Sequence, residues 1–180
     1  MFPKSRALAC AATAVGLLLG MAGPAVADVE RFNDTSNDTT NDIRWVQVDN
    51  STANPNKVIV TVQTDDIGTS GCCAVDELKV FFDTRAADPG PEFSIILIQD
   101  FVMYRMENWK RNGSYVSTAG GCSYGVSRNF TTDRWRVVTT RACLSDPGRI
   151  RVAARTTRRE PRFSQDWARA PRTWLGWVAR

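Results

Sequence analysis

The sequence predicts an all-β protein, an antiparallel β-sandwich of about eight or nine strands, and three observations carry that prediction. From Ile43 onward, apolar and polar residues alternate with the period of two expected of half-buried strands. Clusters of Gly, Pro, Asn and Asp separate the alternating runs at near-regular intervals. No stretch carries a sustained apolar stripe with helical spacing, and only the corner at 143–147 suits a short turn of helix. Within that class an immunoglobulin-like or a jelly-roll-like arrangement is expected, with a small closed barrel as the alternative.

The alternation is preceded by two segments of other kinds. Residues 1–27 read as a secretory signal peptide: Lys4 and Arg6 are its positive start, 7–21 its apolar run, and Ala25-Val26-Ala27 the small residues before cleavage. The apolar run is short for a membrane span and ends at Gly23-Pro24, so a secreted protein without a membrane span is expected. Residues 28–42 are polar, with Asn33-Asp34-Thr35-Ser36 followed by Asn37-Asp38-Thr39-Thr40, and read as a flexible lead-in or a loosely held edge. Residues 43–180 are then expected to form a single β-sandwich domain.

Taken in order, 43–49 alternates and Asn54-Pro55-Asn56 turns the chain. In 57–64 Val58, Val60 and Val62 share one face, and in 77–83 Leu78, Val80 and Phe82 do. After Pro89-Gly90-Pro91, the run Ile95-Ile96-Leu97-Ile98 within 93–99 is apolar on both faces and belongs in the middle of a sheet. Next come 101–107, a hairpin turn at Asn112-Gly113, and a short strand at 115–118. Strands at 126–132, 134–141 and 149–157 complete the series. The tail 161–180, ending with Trp174, Trp177 and Val178, reads as a last strand docked on the core.

Composition excludes more chemistry than it suggests. The chain has no histidine, which removes Ser-His-Asp and Cys-His relays and His-ligated zinc. No CxxC pair is present either, so neither a metal nor another cofactor is expected. Residues 28–108 hold 15 acidic and 6 basic side chains, whereas 109–180 hold 4 acidic and 15 basic. The simplest reading is one sandwich whose two sheets carry opposite charge. Arginine outnumbers lysine 18 to 3 after residue 27, which reflects coding bias before it reflects phosphate recognition.

Four cysteines remain beyond the signal, an even count in an exported chain, and they allow three pairings. Cys122 with Cys143 is favoured, because they flank the antiparallel strand pair around Phe130 and Val137. Cys72 and Cys73 are left as a vicinal pair or as thiols.

Four constellations are candidates for function. Gly121-Cys122-Ser123-Tyr124-Gly125 spells a nucleophile elbow, but that device needs a parallel sheet and a histidine; a hairpin loop holding a disulfide cysteine is the simpler reading. Asp65, Asp66, Asp83, Glu92, Asp100 and Glu107 are available for carboxylate-dependent glycoside hydrolysis, though no pair stands out from ordinary turn formers. Of the six tryptophans most are expected to be buried, with Trp109 and Trp167 exposed in polar loops as platforms for sugar rings. Arg149, Arg151 and Arg155 alternate with Ile150 and Val152, so they project from one side of a strand and can grip an acidic polymer.

The block Val58-Ile59-Val60-Thr61-Val62, Asp65-Asp66 and Asp76-Glu77-Leu78-Lys79-Val80-Phe81-Phe82-Asp83 resembles the secreted DOMON and family-nine carbohydrate-binding β-sandwiches. That resemblance covers roughly residues 43–107. It implies a sandwich with a sugar or haem ligand; axial-histidine haem is impossible here, which leaves Met103 or Met106 as sulfur donors. With Phe82-Asp83-Thr84-Arg85 and Ala142-Cys143-Leu144, the chain also resembles small exported proteins of actinobacteria. Together these readings give an exported, non-enzymatic binding or structural module of the cell envelope or extracellular space, with glycan or another envelope polymer as partner. A carboxylate-dependent glycoside hydrolase and an anionic-polymer binder are the alternatives, and nucleic acid is the less favoured polymer.

Overall fold

Alternation along each strand buries one set of side chains, and two sheets that each have such a set close on each other. A computed structural model of the chain describes residues 28–34, 42–67, 77–98, 100–158 and 163–180. The strands are β1 (Val29–Asn33), β2 (Ile43–Asp49), β3 (Lys57–Thr64), β4 (Glu77–Asp83), β5 (Phe93–Leu97) and β6 (Phe101–Glu107). Then follow β7 (Lys110–Tyr115), β8 (Tyr124–Asn129), β9 (Arg134–Thr140), a 3₁₀ turn (Arg141–Leu144), β10 (Arg149–Arg158), β11 (Ser164–Trp167) and β12 (Val178–Ala179). All pairings are antiparallel.

One sheet runs β1-β2-β3-β9-β8 and the other β11-β10-β4-β5-β6-β7, with β12 pairing the start of β10. The orders β2-β3-β9-β8 and β11-β10-β4-β5 correspond to the A-B-E-D and G-F-C-C′ orders of an immunoglobulin-type sandwich. The sandwich is thus all-β and antiparallel as the sequence predicts, and of the two arrangements considered its strand order follows the immunoglobulin one.

Between the sheets lie Val46, Val48, Val58, Val60 and Val62 from one side and Leu78, Val80, Phe82, Phe93, Ile95 and Val152 from the other. Trp135 is the largest fully buried side chain, at 0% exposure. One edge is closed by contacts between the sheets: the Ile43 amide donates to the Asp166 Oδ2 at 2.6 Å, and the Asn50 side chain donates to the Val178 carbonyl at 2.9 Å. Cys122 and Cys143 form a disulfide that ties the approach to β8 to the 3₁₀ turn after β9. Cys72 and Cys73 lie outside the described residues.

Several elements differ from the sequence reading. Strand β1 occupies part of the expected lead-in; Phe32 is buried in the core, and β1 pairs with β2 from Val29 opposite Asp49 to Asn33 opposite Trp45. The hairpin between β6 and β7 turns at Asn108-Trp109, whose φ values of 43° and 69° give the two left-handed positions such a tight turn needs. Asn112-Gly113 instead lies within β7, where Tyr104 faces Tyr115 and Met106 faces Arg111, so it forms a bulge with Gly113 at φ 85°. The expected strand at 115–118 is therefore replaced by β7 at Lys110–Tyr115. The helical turn is at Arg141–Leu144, overlapping the expected corner at Cys143-Leu144 but starting two residues earlier.

The expectation of two oppositely charged sheets is overturned. The chain crosses between the sheets after β3, β7 and β9, so each sheet draws strands from both halves of the sequence. Acidic and basic residues then meet across β4 and β10, where Asp83 pairs with Arg151 at 2.6 Å and Glu77 with Arg155 at 2.5 Å.

Candidate aromatic and cationic groove

The outer face of the larger sheet carries residues that solvent would ordinarily claim. In β4 the odd-numbered positions point away from the core, and they are Glu77, Lys79, Phe81 and Asp83. Register sets Lys79 opposite Arg155, and Arg155 in turn opposite Trp167 of β11. Phe81 is flanked by Ala153 on β10 and Ser94 on β5, two small residues that leave room above the sheet for indole rings.

Three tryptophans fill that room. Trp167 stacks on Phe81 with centroids 5.5 Å apart and planes 9° apart, and Trp109 meets Phe81 edge-on at 5.1 Å. Trp174, from the segment after β11, packs on Trp109 at 4.7 Å. The cluster buries Phe81 to 3% exposure and leaves Trp109, Trp167 and Trp174 partly open. Beside it runs a groove of about 500 Å³ lined by Lys79, Phe81, Trp109, Arg155, Gln165, Trp167 and Arg172. Tight positioning of Trp109 depends on Gly90: a Cβ there would stand 2.8 Å from the Asn108 Cα and 3.1 Å from the Trp109 amide nitrogen.

The groove is electropositive. The Lys79 ammonium lies 4.8 Å from the Phe81 ring centroid, and its side chain is only 9% exposed. Burial first, then Arg155 and Arg111, pull its pKa down to about 8, against the opposing charge of Glu77. Arg155 stands 5.6 Å from the Trp167 centroid and is paired to Glu77, while its buried Nε has no acceptor among the described residues.

The five ligand-binding candidates from sequence share this outer face, but not one site. Trp109, Trp167 and Arg155 line the groove. Arg151 is held by Asp83 and lies against Trp174 and Trp177, at 5.1 and 4.7 Å, and Arg149 lies 4.7 Å from Trp177. The Arg row is thus largely occupied by its own neighbours. The expectation that most tryptophans are buried is overturned, since only Trp135 is; the others are partly exposed. Trp167 also lies on a strand rather than in a polar loop, and Trp109 on a tight turn.

Lys79, Phe81, Gln165 and Arg172 escaped the sequence reading. Phe81 had a signal: an aromatic residue on the opposite parity from Leu78, Val80 and Phe82 faces away from the core.

The remaining constellations are bound into the structure. Ser123 leads into antiparallel β8, its amide donates to Thr140 Oγ1 at 2.9 Å, and its neighbour Cys122 is in the disulfide. Asp65 pairs with Arg44, and Glu92 Oε2 accepts from the Thr84 amide at 2.6 Å. Burial, with Asp83 nearby, raises the Glu92 pKa against the hydrogen bonds from Thr84. Asp66, Asp100 and Glu107 are exposed. Met103 is enclosed in the core, and Met106 Sδ receives the Ser94 hydroxyl at 3.1 Å. Among the described residues no group of three or more Cys, Asp or Glu is placed to hold a metal ion, and no helix is long and apolar enough to cross a membrane. No family model, curated protein or solved structure matches the chain.

Proposed function

We propose that this protein is an exported, non-enzymatic binding module of the cell envelope or extracellular space, and that its groove holds a glycan. The observation that carries the reading is the convergence of Trp109 and Trp167 with Lys79, Arg155 and Gln165 around one open groove. A pyranose ring has apolar faces that lie on indole, and a rim of hydroxyls that needs donors and acceptors at the edge. Aromatic walls with polar groups at their margins answer both needs. Export is supported by the signal-like residues 1–27, with cleavage after Ala27.

The test is affinity electrophoresis of the purified protein through gels containing soluble polysaccharides, with tryptophan fluorescence as a second readout. Retention by at least one polysaccharide, lost in Trp167→Ala while the melting transition persists, is the expected result. Equal mobility in all gels, with no fluorescence change, sinks the glycan reading.

A further inference from the structure

We infer that the glycan held by this groove is acidic, and that the carboxylate of a uronic acid residue seats on Lys79 and Arg155. This rests on the glycan reading above and adds the ligand's charge.

Two positive side chains, Lys79 and Arg155, face each other in register on β4 and β10. Arg111 of β7 also acts on Lys79, and Arg172 lines the same groove. Among the described residues the carboxylate that acts on Lys79 is Glu77, and Arg155 already holds it. Beyond them on the same face, Asp83 is taken by Arg151. A neutral sugar would displace water from Lys79 and leave its repulsion with Arg155 and Arg111 unrelieved. An anion relieves that repulsion. Burial is the first cause of the low Lys79 pKa, and repulsion from Arg155 and Arg111 adds to it.

The groove's size favours a sugar acid over nucleic acid. A nucleic acid strand is gripped by a long row of phosphate contacts. Here the row on β10 is short, because Arg151 is held by Asp83 and Arg149 lies against Trp177. What stays available is one short cationic floor between aromatic walls.

The test compares polygalacturonate, alginate and hyaluronate with the same polymers after reduction of their carboxyl groups to alcohols, which removes charge and keeps the sugar backbone. Binding is measured by affinity electrophoresis at pH 6.5 and pH 9.5. The expected result is retention by at least one uronic acid polymer, weakened about tenfold by carboxyl reduction and about tenfold by the rise in pH. Lys79→Arg should keep the preference for the acid but lose the pH dependence, since guanidinium stays protonated throughout. Lys79→Met should remove both.

Equal retention of native and reduced polymers, or acid binding unaffected by Lys79→Met, overturns the acidic seat and leaves the glycan reading standing. No retention by any polymer, native or reduced, overturns both. Retention by dextran sulfate and DNA but by no uronic acid polymer overturns the carboxylate assignment in favour of sulfate or phosphate.

Discussion

Lys79 shows how one residue can cost stability where it serves a site. Its pKa is about 8 in the folded protein, against roughly 10.4 in an unfolded chain. Between those values the unfolded chain binds more protons, so stability rises with pH across that window. At pH 7 the cost of holding the charge is fully present. Lys79→Met keeps the aliphatic stem and should raise the melting temperature at pH 7 by about 4 °C, an advantage that shrinks above pH 8 and vanishes near pH 10.5. Thermal unfolding at a series of pH values reads this directly. A residue that weakens the fold and strengthens a ligand's seat is an expected trade at a binding site.

Arg141 makes the opposite bargain. Its side chain is 3% exposed and donates to three main-chain carbonyls: Pro55 at 3.0 Å, Pro147 at 3.0 Å and Asn50 at 2.8 Å. Burial lowers its pKa first, with Arg180 adding to that and Asp146 and Asp49 opposing it, but an arginine stays charged at any pH of interest. The guanidinium thereby joins the β2–β3 turn to the approach to β10. Arg141→Met should destabilise the protein by about 3 kcal/mol in urea unfolding, because buried carbonyls lose their donors while the charge is removed as well.

At the scale of elements, one turn sets the groove's far wall. The two left-handed residues Asn108 and Trp109 close the β6–β7 hairpin, and Gly90 lies against that turn with no space for a side chain. Gly90→Ala should push the turn outward, cost about 1–3 kcal/mol, and shift tryptophan emission to longer wavelength as Trp109 leaves Phe81. A fluorescence spectrum with no shift would show that the turn adapts without moving the indole.

Legibility also divides by element. Strands β2, β3, β4 and β6 were readable to the residue, because each crosses the core with an apolar parity or ends in turn formers. Strand β7 is Lys110 to Tyr115 and exposed along its length, so nothing in its pattern marks it; pairing with β6 alone makes it a strand. Strands β1, β11 and β12 are short edge pieces with one buried residue each, too few to show an alternation. Asn112-Gly113 misled because the dipeptide permits a left-handed backbone without saying whether a turn or a bulge will use it.

For the whole molecule, the edge at β11 and β12 joins the two sheets. Asp166 of β11 accepts the Ile43 amide, Val178 of β12 accepts from Asn50, and the Arg169 amide reaches Asp34 Oδ2 at 3.3 Å. The segment between β11 and β12 also carries Trp174 onto Trp109. Asp166→Ala should therefore lower stability by about 2 kcal/mol, since it strands a buried amide. It should also speed hydrogen exchange at Ile43 and in Ser164–Trp167 ahead of global unfolding. Uniform exchange across both sheets would argue that this edge does not open separately.

By itself the sequence determined the all-β class, the core parity of the central strands and the absence of histidine chemistry, and it favoured Cys122 with Cys143 among three pairings, the one the structure forms. Those follow from local periodicity, chain reversal and composition, which need no knowledge of distant neighbours. Only the tertiary structure decided that opposite charges would interleave and that Trp109, Lys79, Phe81, Arg155 and Trp167 would share one face. The physical reason is sheet order: β4, β10 and β11 are adjacent in space but far apart in sequence, and a register set by backbone pairing brought their outward side chains together.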